Sequence, residues 1–173
     1  GRKAEDLGIE FKAAFKESRY QRVSVLDEES ARSLVLRAEQ DGSLRFDKDA
    51  VTRILTLTAG HPYFTQLVCQ LVFEYKYQRG DATSGASTVL AADVDAVVPG
   101  ALEAGENVFE WIWDGLPPAE RVIFSAIAAG TAEQTIITDD HLLEQLQSQG
   151  IRILVRELNL APKTLIEWEM LKK

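Results

Sequence analysis

Few residues in this chain have the type and spacing that chemistry requires. His141 and Glu144 stand three apart, which puts an imidazole and a carboxylate on one helix face. Metal sites in helical bundles are built from several such inward-facing pairs. Here the pair stands alone among polar neighbours and reads as solvated. Asp139-Asp140 and Glu28-Glu29 sit where helices begin, where the helix dipole favours anions. Cys69 lies in an apolar stretch and reads as a small buried hydrophobe. One cysteine and two histidines, His61 and His141, exclude a Cys/His zinc cluster and an internal disulfide. There is no GxxxxGK[ST] phosphate loop, no HExxH, no GxSxG and no paired-cysteine motif. No catalytic residue and no metal ligand is expected.

The stretch that carries most information is Leu57-Thr58-Ala59-Gly60-His61-Pro62-Tyr63-Phe64-Thr65-Gln66-Leu67. A glycine break is followed at once by proline at a helix N-terminus. Gly60 fits the position after a helix where a left-handed backbone is usual. Pro62 fits the first turn of the next helix, where its missing N–H costs nothing. Two readings fit this pattern. In one it is a corner between helices, with His61 as the N-cap and Tyr63 in the core. In the other the helix start faces a ligand. Free N–H groups there favour anions, and Pro62 with an aromatic neighbour offers a flat apolar surface to a base.

The surrounding pattern is helical. Phe11, Ala14 and Phe15 mark a short amphipathic helix over 4–17. Tyr20 to Leu26 is the one clear alternating, β-branched stretch and predicts a strand or an extended entry. Asp27 is a predicted N-cap, followed by a face of Ala31, Leu34, Val35 and Ala38 that ends at Asp41-Gly42. Asp47 caps a helix whose inner face is Val51, Ile54, Leu55 and Thr58. The helix from Pro62 to about Gln78 is apolar almost all round, with one polar line of Gln66, Gln70 and Glu74, and is predicted to be central. Residues 79–88 read as a polar loop. A helical region from Leu90 to Trp113 is expected to break or kink at Pro99-Gly100. Pro117-Pro118 opens a helix ended by Gly130, and Thr138 caps another ended by Gly150.

Composition limits the function classes. The 173 residues are 46% hydrophobic and 27% charged, a globular balance. The net charge is −8, with no basic run to neutralise phosphates. No apolar run approaches the roughly 18 residues that span a bilayer, and GRKAEDLGIE holds no secretory apolar segment. A soluble, cytoplasmic chain without a membrane partner is expected. The sequence starts at Gly1 and reads as a piece of a longer protein.

Three stretches, VSVLDEESARSLV, GSLRFDKDAVTRILTLTAGHPYFTQLVCQLV and FEWIWDGLPPAERVIFSAIA, resemble the helical lid and following winged-helix region of STAND-type P-loop ATPases. These are relatives of the AAA+ and origin-recognition ATPases. The resemblance covers about Val23 to Ala129, and TAGHPYFTQLVC is its most specific part. It is similar to the lid signature in which a Gly-x-Pro turn approaches an adenine nucleotide. Gly60, His61 and Pro62 occupy those positions, which implies that Pro62 packs near the base. The Walker A lysine, the Walker B acid and the nucleotide-binding sheet are not in this sequence. The resemblance would place them upstream of Gly1. ATP or ADP with Mg is therefore expected only in the full-length protein, with the upstream P-loop domain as a partner.

Near the C-terminus, LVRELNLAPKTLIEW is similar to the bacterial helix-turn-helix pattern. Leu154, Leu158, Leu160, Leu165 and Trp168 take its core positions, Asn159 its turn and Pro162 the start of its second helix. Lys163, Ile166, Glu167 and Met170 would face outward. From Pro117 onward there are eight acids and six bases, so DNA is a poor partner and a protein contact fits better. Trp111, Trp113 and Trp168 read as packing residues.

The expected fold is mainly α: a helical lid bundle followed by a helix-turn-helix or winged-helix-like unit. Residues 1–22 are a remnant or linker from an upstream core, 23–115 the lid, and 116–173 the second unit. The expected function is non-catalytic coupling of nucleotide state to protein interaction. The alternative is a DNA-binding helix-turn-helix regulator.

Overall fold

The structure, a computed structural model, describes residues 25–40, 42, 44–79, 87–132 and 138–171. The expected helix over 4–17, most of the expected strand and the whole 1–22 segment lie outside these residues, as do residues 80–86 of the expected loop. Val25 and Leu26, the described end of the expected strand, belong to no strand. Among the described residues there are eight helices and two three-residue strands, so the fold is mainly α as expected. The chain divides into two compact units, Ser24–Phe109 and a second built from Glu110–Lys173.

In the first unit, α1 (Glu28–Gln40) starts at Asp27, whose carboxylate accepts from the Ser30 N–H at 2.8 Å and the Ser30 hydroxyl at 2.9 Å. β1 (Leu44–Phe46) leads into α2 (Lys48–Thr58), where the Asp47 carboxylate accepts from the Asp49 N–H at 3.3 Å. α3 (Pro62–Gln78) follows. β2 (Ser87–Val89) begins in the last two residues of the stretch expected to be loop, and pairs in parallel with β1, Leu44 opposite Ser87 and Phe46 opposite Val89. α4 (Ala91–Ala104) completes the bundle. The core is rich in β-branched residues: Val35, Val51, Ile54, Val72, Val89 and Val94 are among its members, with Leu44 beside them.

α3 packs against α1, α2 and α4, as a central helix should. It is less enclosed than its apolar composition predicts. Val68 and Val72 are buried, but Tyr63, Phe73 and Tyr77 join Gln66, Gln70 and Glu74 on exposed positions. Lys76 is buried, and its Nζ meets Asp93 Oδ2 on α4 at 3.2 Å. The same carboxylate oxygen accepts from the Leu90 N–H at 2.9 Å, so one side chain caps α4 and ties it to α3.

Of the break or kink expected at Pro99-Gly100, the break does not occur. α4 runs through both residues. Proline removes one helix donor, here toward the Asp95 carbonyl, and both residues lie on the exposed side, so no buried bond is lost. The interruption comes at Gly105, where a Cβ would stand 2.8 Å from the Phe109 ring and 3.0 Å from the Ala101 carbonyl oxygen. α5 (Glu106–Gly115) then begins. It buries none of its residues, and Trp111 is 71% exposed rather than packed.

In the second unit, α6 (Pro118–Ala132), α7 (Asp139–Ser148) and α8 (Val155–Glu167) surround Leu116, Ile123, Ala126, Leu142, Leu146, Ala161 and Leu165. α6 begins at Pro118 as expected but continues past Gly130. Arg121 fastens the preceding turn. Its Nε donates to the Leu116 carbonyl at 2.9 Å and its guanidinium lies over the Trp113 ring. Thr138 caps α7, accepting from the His141 N–H at 3.3 Å. Gly150, at φ +71°, ends it, and the Ile151 N–H donates to the Leu146 carbonyl at 2.9 Å.

The expected turn at Asn159 is not made. α8 is one helix through Asn159 and Pro162. Leu158, Ala161 and Leu165, at i, i+3 and i+7, put one stripe onto the unit's core and hold the helix continuous. Leu154 and Leu160, expected inside, are 67% and 51% exposed. Met170, expected outside, packs against the core, and Ile166 is half-buried. The helix–turn–helix succession in the structure is α7 to α8, across Gln149–Leu154.

Candidate functional site

The Gly60-His61-Pro62 corner joins α2 to α3. Ala59 at φ 49° and Gly60 at φ 75° reverse the chain, and the His61 N–H donates to the Thr58 carbonyl at 2.8 Å. Pro62 takes the first position of α3, as its spacing predicts. A buried hydroxyl pair stitches the two helices together. Thr58 Oγ1 lies 3.0 Å from Thr65 Oγ1 and donates to the Ile54 carbonyl at 2.9 Å. These threonines flank the turn at a spacing that keeps both on the inner face. Sequence reading passed over Thr65.

The corner presents different surroundings on its two sides. Gly60 is buried, and its carbonyl accepts from the Leu26 N–H at 2.9 Å. A Cβ on Gly60 would stand 2.8 Å from the Leu26 carbonyl oxygen, so this glycine is required both by its backbone angle and by the close approach of the segment entering α1. Pro62 and His61 are half-buried, and Tyr63, expected in the core, is exposed. The corner is thus partly open at His61 and Pro62 and closed at Gly60.

His61 occupies the N-cap position, but its side chain makes no capping bond. Its ring lies 4.8 Å from that of Phe64, which stacks on Phe109 at 4.7 Å with an interplanar angle of 10°. Tyr63 meets Phe64 edge-on at 5.2 Å. His61 Nδ1 is buried and has no hydrogen-bond partner. Burial holds the imidazole below its ordinary pKa, so the ring is neutral at pH 7. The start of α3 thus combines first-turn N–H groups without a side-chain cap and a cluster of aromatic rings. It holds no nucleophile and no acid–base pair.

The remaining chemistry-bearing residues stay apart. His141 and Glu144 are exposed on α7. Among the described residues no group of three or more His, Cys, Asp or Glu side chains could hold a metal ion. Cys69 packs against the core of the first unit, and burial pushes its thiol up to about 11. An open cleft in the second unit, lined by Pro118, Val122, Ile151 and Ile153 with Arg152 and Glu157, has no catalytic pair. No helix among the described residues is long and apolar enough to cross a membrane. No family model, curated protein or solved structure matches this chain.

Proposed function

We propose that this chain is a non-catalytic coupling module of a STAND-type ATP-binding regulatory protein, acting in the cytoplasm. The α2–α3 corner would sense nucleotide held by an upstream P-loop domain and pass its state to a protein partner. The observation that carries the reading is the start of α3. Pro62 opens the helix, the His61 side chain leaves the first turn uncapped, and the aromatic ring of Tyr63 stays exposed beside it. An adenine can lie on such a surface while a helix N-terminus favours its phosphates.

The phosphate-binding loop is not part of this sequence, so the 173 residues alone should neither hydrolyse ATP nor bind it measurably by calorimetry. The deciding experiment begins with the coding sequence upstream of Gly1. A Walker A motif there, followed by weaker nucleotide binding or lost coupling in Pro62→Ala of the longer protein, supports the reading. Submillimolar ATP binding by the 173 residues alone, or unchanged nucleotide response in Pro62→Ala, defeats it. The DNA-binding alternative gains little, since α8 makes no turn at Asn159 and its exposed residues mix Arg156 and Lys163 with Glu157, Leu160 and Glu167.

A further inference from the structure

The chain between α7 and α8 has the composition and alternation of a strand but no strand beside it. Gly150 closes α7, and Leu154 is the N-cap of α8 with extended angles of φ −69° and ψ 139°. Residues 151–154 belong to no helix, strand or turn. Ile151 and Ile153 are half-buried against the core of the second unit, whereas Arg152 and Leu154 are exposed. Such alternation, with two β-branched residues, favours an extended backbone. The Ile151 N–H is taken by the Leu146 carbonyl, and the Leu154 carbonyl by the first turn of α8. Between them, the N–H groups of Arg152, Ile153 and Leu154 and the carbonyls of Ile151, Arg152 and Ile153 bond to no described residue. We propose that residues 151–154 are a docking edge for an extended peptide of a partner protein. The peptide adds to them as a strand and seats one large apolar side chain in the adjoining cleft.

Backbone, cleft and charge together select that occupant. An unpaired extended edge offers donors and acceptors that another extended backbone matches in register. A helix matches them poorly, because its backbone groups are spent on itself. The cleft beside the edge, formed by Pro118, Ala119 and Val122 of α6 with Ile151 and Ile153, has a volume of about 190 Å³. An apolar cavity of about 150 Å³ takes a benzene ring, so a side chain the size of phenylalanine or leucine fits.

Charge sets the residue next to it. In a strand the neighbour of an inward side chain faces outward, which is the side of Arg152. Arg152 is exposed and makes no ion pair with a described residue. The other charge at the cleft, Glu157, lies in the first turn of α8, where the helix dipole already favours it. The partner segment therefore carries a large apolar residue with an acid beside it. This surface is independent of the nucleotide reading of the α2–α3 corner.

The test pans a display library of random short peptides on the 173-residue chain and titrates the selected peptides, made synthetically, into the ¹⁵N-labelled protein. The expected peptides pair a large apolar residue with a neighbouring acid. They shift the amides of Arg152, Ile153 and Val122, give NOEs between their own backbone and that of Arg152 and Ile153, and bind Arg152→Glu severalfold more weakly. Selection of no peptide, a peptide bound as a helix, shifts that leave residues 151–154 untouched, or equal binding to Arg152→Glu overturns the proposal. So do concentration-dependent shifts of the same amides in the free chain, which would give the edge to a second copy. The wild-type NOEs decide the backbone pairing if the variant fails to fold.

Discussion

Gly60 is the residue whose identity the backbone fixes most tightly. Gly60→Ala places a Cβ at φ 75° and 2.8 Å from a backbone oxygen, an obstacle that cannot rotate away. The expected cost is about 1–3 kcal/mol for the strained backbone, measured as a shift in the thermal or denaturant midpoint. An alanine variant as stable as the parent would show that the Leu26 segment does not dock there. Cys69 is held by its surroundings rather than its backbone. With the thiol at about 11, alkylation by iodoacetamide should be slow at pH 8 and should accelerate as pH rises towards 11. Rapid labelling at pH 7 would contradict its packing against the core. The positive φ at Gly60, the N1 placement of Pro62 and the packing of a half-buried Cys69 against the core were legible in the sequence. The failure of His61 to cap was not, because a side chain's choice between the helix end and a neighbouring ring is made in three dimensions.

Helices were read well wherever a cap or a periodic face announced them. Asp27, Asp47, Thr138 and Pro62 each stand at the helix start that local chemistry predicts. Neither Pro99 nor Pro162 interrupts its helix, because a helix with one donor missing survives when the rest of its contacts hold it. The strands were missed for a different reason. Each is three residues long, and neither carries enough alternation to be seen before its partner is known. The α3–α4 contact contains the element-scale prediction. Asp93 serves both Lys76 and the start of α4. Asp93→Ala removes both the carboxylate facing the buried Lys76 ammonium and the bond to the Leu90 N–H, and should cost about 1.5–3 kcal/mol. Lys76→Met leaves Asp93 its bond to the Leu90 N–H and places an apolar chain in an apolar site, so it should cost clearly less. Denaturant midpoints of the two variants check this order, and equal losses would show that the pair alone, not the shared cap, sets the energy.

At the scale of the whole molecule, each unit has its own enclosed core, one around Ile54 and one around Ile123. Ile54→Ala and Ile123→Ala should each cost about 2–5 kcal/mol. Amide exchange should assign the first loss to residues 24–109 and the second to 118–167. A uniform loss across both sets in either variant would mean that the units unfold as one. The parallel ladder between β1 and β2 bears on the order in which the first unit assembles. Leu44 meets Ser87 only after a loop of about 40 residues has closed, and that entropy must be lost before the ladder returns anything. α2 and α3 lie inside the loop and shorten it once they pack against each other. The helices of this unit therefore gather first, and the ladder between Leu44 and Val89 closes near the end, so weakening it hastens unfolding more than it slows folding.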